Sequence, residues 1–361
     1  MSAFARRADR LTERVQERGL DLLLVSQLVN VRYLTGFTGT SGALLVGPGR
    51  RVFLTDFRYV ERAKREVPSE FDRRRGRDDL LDAVAEIAVD AGGRLGFDDA
   101  HMTVRAHAKL AQRVGEQVEL APAGGLVEEL RAVKDDEEVS AIRASAEIAD
   151  DLYRWLISEH GLAGHTERAV ALALERRAQD LGADGLSFPA IVAAAENGAL
   201  PHATPRRDAV IPRATLVVVD LGCVRDSYCS DCTRTFATGE VEPEARECYE
   251  LVRSAQEAAL AATLPGADVR EVDRAARAPI ERAGRGEQFG HGLGHGVGLD
   301  VHEAPRIAPS ATGRLEAGNV VTIEPGVYVP ERFGVRIEDL VLVSEGAPQV
   351  LTSIPKDLIS V

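Results

Sequence analysis

The 361 residues are more than one ordinary hydrophobic core accommodates, so two domains are expected. Apolar residues at 45% and charged residues at 28% mark a globular protein, and a net charge of −13 argues against a nucleic-acid binder, which needs clustered Lys and Arg. No run of about 18 apolar residues offers a membrane helix. The N-terminus lacks a signal-peptide core and the four cysteines form no secreted disulfide pattern, so a cytoplasmic address is expected.

Amphipathic spacing predicts a helix over residues 3–18, then a buried strand at 21–26, a turn of helix at 30–34 and two strands within 41–53 around Gly47 and Gly49. Helices near 57–66, 78–91 and 103–114 alternate with strands at 95–97 and 117–121, and Arg73-Arg74-Arg75 reads as a solvated surface turn. These elements make a compact α/β domain over residues 1–125. The second domain, 126–361, begins with a helical stretch over 126–160 whose acids at 135–138 suit a helix N-terminus. A helix at 166–181, strands over 187–236, helices at 242–263 and 268–283, with Asp268 as N-cap, and strands over 290–350 follow. Helices grouped beside a mainly antiparallel sheet make this domain α+β.

Four carboxylates stand out because each closes or interrupts an apolar strand, where an unpaired charge is costly. Asp220 ends the apolar run of Leu216-Val217-Val218-Val219-Asp220-Leu221-Gly222, and Asp231 lies eleven positions on; a hairpin turning at Arg225-Asp226 would make them cross-strand neighbours on one face, with Cβ atoms about 5 Å apart. Glu324 and Glu338 flank the loop at 330–334, so a second hairpin would bring them together. Two such pairs repel unless cations lie between them.

The segment from Gly290 to Glu303 holds three of the eight histidines, His291, His295 and His302, with glycines between them that let the backbone bend close to whatever the imidazoles hold. One imidazole added to four carboxylates suits hard or borderline divalent ions, and so many acids exceed one ion's needs, which points to a two-metal site. Cys229 and Cys232 do not make a zinc pair, since residues three apart on a strand point to opposite faces. The glycines interrupt any helical His-x-x-x-His motif and do not form a nucleotide fingerprint. His202, in a loop after Phe188-Pro189-Ala190-Ile191-Val192, depends on the fold for its standing.

In order and spacing, Val218-Val219-Asp220-Leu221-Gly222, Ser230-Asp231-Cys232-Thr233-Arg234, the Gly/His segment, Thr322-Ile323-Glu324-Pro325-Gly326 and Val335-Arg336-Ile337-Glu338-Asp339 resemble the pita-bread metallopeptidases. The likeness is to the proline-specific branch of aminopeptidase P and prolidase, and Asn30-Val31-Arg32-Tyr33-Leu34-Thr35-Gly36 resembles that branch's smaller creatinase-type N-terminal domain. The resemblance implies metal ligands Asp220, Asp231, His295, Glu324 and Glu338, with Asp231 and Glu338 shared by two ions, usually Mn²⁺ and sometimes Co²⁺ or Zn²⁺. It implies that His202 and His302 contact the scissile peptide and that His291 and Arg336 line the substrate pocket. Glu324 is then the proton carrier, and His202 or His302 stabilises the oxyanion.

The implied activity is hydrolysis of the Xaa-Pro bond at the N-terminus of proline-containing peptides, by a homodimer. The rival within the class is a dipeptidase restricted to Xaa-Pro. A methionine aminopeptidase would leave residues 1–125 unexplained, and a metal-free creatinase-like enzyme or a binding protein would leave the carboxylates unexplained. Cys232 departs from the branch, which usually has a larger aliphatic residue there, and only packing consequences are expected.

Overall fold

The computed structural model describes residues 1–76 and 79–361. The chain divides into two compact units, Met1–Arg131 and Ala132–Val361.

In the first unit, the order is α1 (Ala3–Glu17), β1 (Leu22–Val25), α2 (Leu28–Thr35), β2 (Gly42–Gly47), β3 (Arg50–Thr55), α3 (Val60–Glu66), β4 (Asp72–Arg75), α4 (Leu80–Ala91), β5 (Gly93–Phe97), α5 (Val104–Val114), β6 (Val118–Pro122) and α6 (Leu126–Ala132). The expected helix 78–91 starts at Leu80; Asp78 lies outside the described residues. Six strands form one sheet in the order β4-β3-β2-β1-β5-β6. β1 is buried at all four positions, as an interior strand flanked on both sides must be. α1 buries Ala5, Ala8, Leu11 and Val15, one stripe at helical spacing, together with Arg7, whose guanidinium donates to the Tyr33 carbonyl at 3.1 Å.

Two expectations are corrected here. Arg73-Arg74-Arg75 is not a turn but exposed edge strand, running parallel to β3, where charged side chains discourage further pairing. The unit ends after Arg131 rather than at 125, because α6 is tied into it: Asn30 Nδ2 donates to Glu128 Oε1 at 2.6 Å and Arg131 donates to Asn30 Oδ1 at 2.8 Å.

The second unit opens with α7 (Asp136–Trp155) and α8 (Glu167–Asp180). The expected helical stretch from 126 therefore breaks before Asp135, which caps α7 in a reciprocal capping box with Glu138. Next come β7 (Gly185–Leu186), β8 (Ile191–Ala194), β9 (Leu216–Leu221), β10 (Cys223–Arg225), β11 (Tyr228–Cys229) and β12 (Cys232–Ala237). α9 (Pro243–Ala262) and α10 (Val269–Arg282) follow, the latter capped by Asp268, whose side chain accepts from Arg270 N. The chain closes with β13 (Gly294–Gly296), β14 (Glu303–Ile307), β15 (Val320–Ile323), β16 (Gly326–Val329), β17 (Phe333–Arg336), β18 (Asp339–Leu342) and β19 (Gln349–Val350).

The second unit is built twice over on one plan. Buried residues of α7 and α8, among them Leu152, Tyr153, Val170 and Leu174, pack against Val192, Val217, Val219 and Phe236 of the antiparallel set β8-β9-β12. Buried residues of α9 and α10, among them Tyr249, Val252, Val272 and Ile280, pack against Val321, Ile323, Val327 and Val335 of the later strands. Each half thus puts helices on one face of an antiparallel hairpin, leaving the other face for polar groups.

Candidate metal centre

The two hairpins decide where the carboxylates lie. In β9 and β12, Asp220 pairs with Thr233, not with Asp231. The expected turn was one residue early: Arg225 pairs with Tyr228 around Asp226 and Ser227, both left-handed at φ 51° and 74°, as a two-residue hairpin loop requires. Moving the turn by one residue moves the partner by two, so Asp220 and Asp231 stay on one face as diagonal rather than direct neighbours. In the later hairpin, Ile323 pairs with Asp339 and Gly326 with Arg336, a single register that sets Glu324 opposite Glu338.

The resulting cluster is buried and short of positive charge. Asp220 is 8% exposed, Asp231 5% and Glu338 2%. Burial, then the neighbouring carboxylates, push the carboxyls of Asp231 and Glu338 well up, and burial pushes Glu324 up to about 8. His295 Nε2 stands 3.7 Å from Asp231 Oδ2 and 3.5 Å from Glu324 Oε1. Its Nδ1 lies 3.0 Å from the Gly296 carbonyl, which can only accept, so Nδ1 carries the proton and Nε2 turns a lone pair toward the acids. Burial lowers the imidazole to about 4, keeping it neutral.

These residues fit divalent ions. Asp231, His295 and Glu338 each offer one ligand atom, all within 4.8 Å of one another. Asp220 Oδ1 is buried with no hydrogen-bond partner, an arrangement that a cation would relieve. Glu338 Oε2 accepts from Thr233 Oγ1 at 2.7 Å and Glu324 Oε1 from Thr322 Oγ1 at 3.3 Å, so neighbouring threonines orient both carboxylates.

The histidines of the Gly/His segment divide. His291 Nδ1 donates to the Gly292 carbonyl at 2.8 Å and Nε2 faces Tyr328 Oη at 3.0 Å, which leaves no lone pair for a metal. His302 packs against His295, with ring centroids 4.3 Å apart and planes tilted by 50°. Arg336 is buried and reaches Asp220 Oδ2 at 2.7 Å, Tyr328 Oη at 2.9 Å, Thr233 Oγ1 at 3.0 Å and the Pro201 carbonyl at 3.1 Å, tying the His202 loop to the carboxylates. From α10, Asp273 accepts from Leu293 N, and Arg277 donates to the carbonyls of Phe289 and His291, so the segment is clamped from behind.

The glycines act differently from the expectation. None from Gly290 to Gly298 has a positive φ. A Cβ on Gly294 would stand 1.9 Å from the Thr322 carbonyl oxygen and one on Gly296 2.1 Å from that of Ala304, so these glycines let β13 lie tightly between β14 and β15.

All nine residues singled out in the sequence, Asp220, Asp231, Glu324, Glu338, His202, His291, His295, His302 and Arg336, line one cavity of about 640 Å³. Phe188, Ile191, Glu303, Arg306 and Tyr328 line it too, and the sequence reading gave them no role. Tyr328 had a signal: strand positions two apart from Gly326 share its face. Cys232 is fully buried among apolar residues, and its Sγ lies 3.5 Å from the Glu338 carbonyl.

A family model described as metallopeptidase family M24 matches residues 140–345, and one described as the creatinase/prolidase N-terminal domain matches residues 7–133. The chain is 39% identical to the uncharacterized peptidase YqhT of Bacillus subtilis (strain 168), covering 94% of this chain and 96% of the relative. Its fold matches that of an Xaa-Pro dipeptidase from Bacillus anthracis at TM-score 0.95, with 36% identity over 99% of this chain and 100% of that one. An X-Pro aminopeptidase from Thermotoga maritima MSB8 matches at TM-score 0.88, with 31% identity over 98% of this chain and 100% of that one.

Proposed function

Because the chain belongs to metallopeptidase family M24, with a pita-bread catalytic domain behind a creatinase-type N-terminal domain, we propose that it hydrolyses the peptide bond before proline at the N-terminus of peptides. The observation that carries this reading is that four carboxylates and the imidazole of His295, whose Nε2 lies 3.7 Å from Asp231 and 3.5 Å from Glu324, line one cavity together with His202, His302 and Arg336.

In this reading Asp220, Asp231, His295, Glu324 and Glu338 would hold two divalent ions, Mn²⁺ by preference. When bound, the ions supply Lewis-acid polarisation and an acidified water at neutral pH. The chain does the rest. Glu324 accepts the water's proton and delivers it to the proline nitrogen as that nitrogen leaves. His302 or His202 donates to the developing oxyanion, and His291, held by Tyr328, shapes the pocket with Arg336. A proline nitrogen has no N–H and restricts the residue before it, so a pocket closed by fixed side chains suits such a substrate.

Length preference separates two versions of the function. The sequence favours an aminopeptidase acting on longer peptides; the relatives' names lean the other way, since the compared structure nearer in sequence, 36% against 31% identical, is a dipeptidase. A Mn²⁺-supplemented assay with Xaa-Pro dipeptides, Xaa-Pro-Yaa tripeptides and Xaa-Ala controls decides. Cleavage of both proline series supports the aminopeptidase, cleavage of dipeptides alone supports the dipeptidase, and cleavage of neither sinks the proline-peptidase reading. A cytoplasmic homodimer completes the proposal, with light scattering as the check on its mass.

A further inference from the structure

A second group of metal-ligating side chains lies in the first unit, outside the cavity described above. Asp98 follows the last residue of β5, His101 sits in the turn that begins there, and Glu128 projects from α6. One ligand atom from each falls within 4.8 Å of the other two. The turn that gathers them is fixed by its backbone, with the amides of His101 and Met102 donating to the Asp98 carbonyl at 3.3 and 2.8 Å.

A further observation points to an occupant. Asp98 is only 6% exposed, and its Oδ1 is buried with no hydrogen-bond partner. The existing bonds leave the need unmet: Asn30 Nδ2 serves Glu128 Oε1 at 2.6 Å and Asp98 Oδ2 at 3.5 Å, and His101 Nε2 lies 3.5 Å from Glu128 Oε1.

We propose that Asp98, His101 and Glu128 form a divalent-cation site in the N-terminal unit, separate from the two-ion centre. One imidazole and two carboxylates suit Zn²⁺ or Mn²⁺, with water completing the shell on the side where His101 and Glu128 reach solvent. The site is structural: its ion joins the end of β5 to α6, two elements far apart in sequence.

Equilibrium dialysis of the full-length protein against Zn²⁺, with bound metal counted by elemental mass spectrometry, tests this against the Asp98→Asn and His101→Gln variants. The expected result is one fewer ion per chain in each variant at saturation, with hydrolytic activity retained. His101 is half-exposed, so its variant decides the matter even if Asp98→Asn fails to fold. Equal ion counts in wild type and His101→Gln would overturn the proposal. The difference between variants is read whatever number of ions the other centre holds, so the result stands apart from the proposed activity.

Discussion

Replacing Glu167 with Ala should loosen the loop that carries His202 without touching any proposed metal ligand. Glu167 is the first residue of α8 and fully buried. Its Oε1 accepts from Ala194 N at 2.9 Å and Arg206 Nη2 at 3.1 Å; its Oε2 accepts from Asn197 Nδ2 at 2.8 Å, Arg206 N at 2.8 Å and Arg206 Nε at 3.2 Å. One carboxylate therefore pins both ends of the segment 194–206. The Arg206 side chain is 39% exposed and can turn to water, so its share is discounted. The Ala194 and Arg206 amides would lose their acceptor and Asn197 Nδ2 would keep only the Thr204 carbonyl at 3.3 Å, at about 1–3 kcal/mol each, a loss of roughly 3–6 kcal/mol after partial rehydration. Trp155, the chain's one tryptophan, lies in α7, so fluorescence during urea unfolding reports the second unit alone. Displacement of His202 should lower kcat/KM by about 100-fold while bound metal stays unchanged, and Glu167→Gln, which keeps the shape, should fall between. Wild-type stability and kinetics in Glu167→Ala would refute the claim that this carboxylate positions the loop.

Metal removal should make stability fall as pH rises. Glu324 has a folded pKa of about 8 against an ordinary 4.5, so the stabilisation it gives when protonated is full below the lower value and lost as pH climbs through the upper one. His291 and His295, lowered to about 4, work in the opposite sense only below about 6.5, so pH 6.5 to 8.5 isolates the acids. Chelated protein should lose about 2 kcal/mol from Glu324 over that interval, and Mn²⁺ should abolish the slope; a flat melting profile without metal would contradict this. Gly294→Ala should unfold the β13–β15 contact or fail to accumulate, because its Cβ would meet the Thr322 carbonyl at 1.9 Å, and a native melting midpoint would contradict the packing role. Arg277→Ala frees the carbonyls of Phe289 and His291 and should raise KM more than it lowers kcat, with metal content intact; an unchanged KM would deny the clamp.

Much of this centre was legible because its parts are local in sequence. Glu324 and Glu338 flank one tight loop, so pattern alone set them opposite each other. Asp220 and Asp231 were harder: the sequence offered Arg225-Asp226 as the turn, and only the left-handed pair Asp226 and Ser227 fixes the register two residues away. The Gly/His segment was readable as a site, but the purpose of its glycines was not, since it depends on strands that arrive later in the chain. The Glu167 clamp was beyond reach for the same reason, its contacts joining residues up to 39 positions apart. Arg73-Arg74-Arg75 misled because charge signals exposure without distinguishing a turn from an edge strand.

The central claim, that the carboxylates and one imidazole together hold two ions, is tested most directly by anomalous scattering. Crystals of Mn²⁺-loaded protein measured on both sides of the manganese absorption edge should show two peaks in the cavity about 3.5–4 Å apart. Asp231 and Glu338 should touch both, His295 Nε2 one, and His291 neither. A single peak, or an ion held by His291, His295 and His302 together, would contradict it.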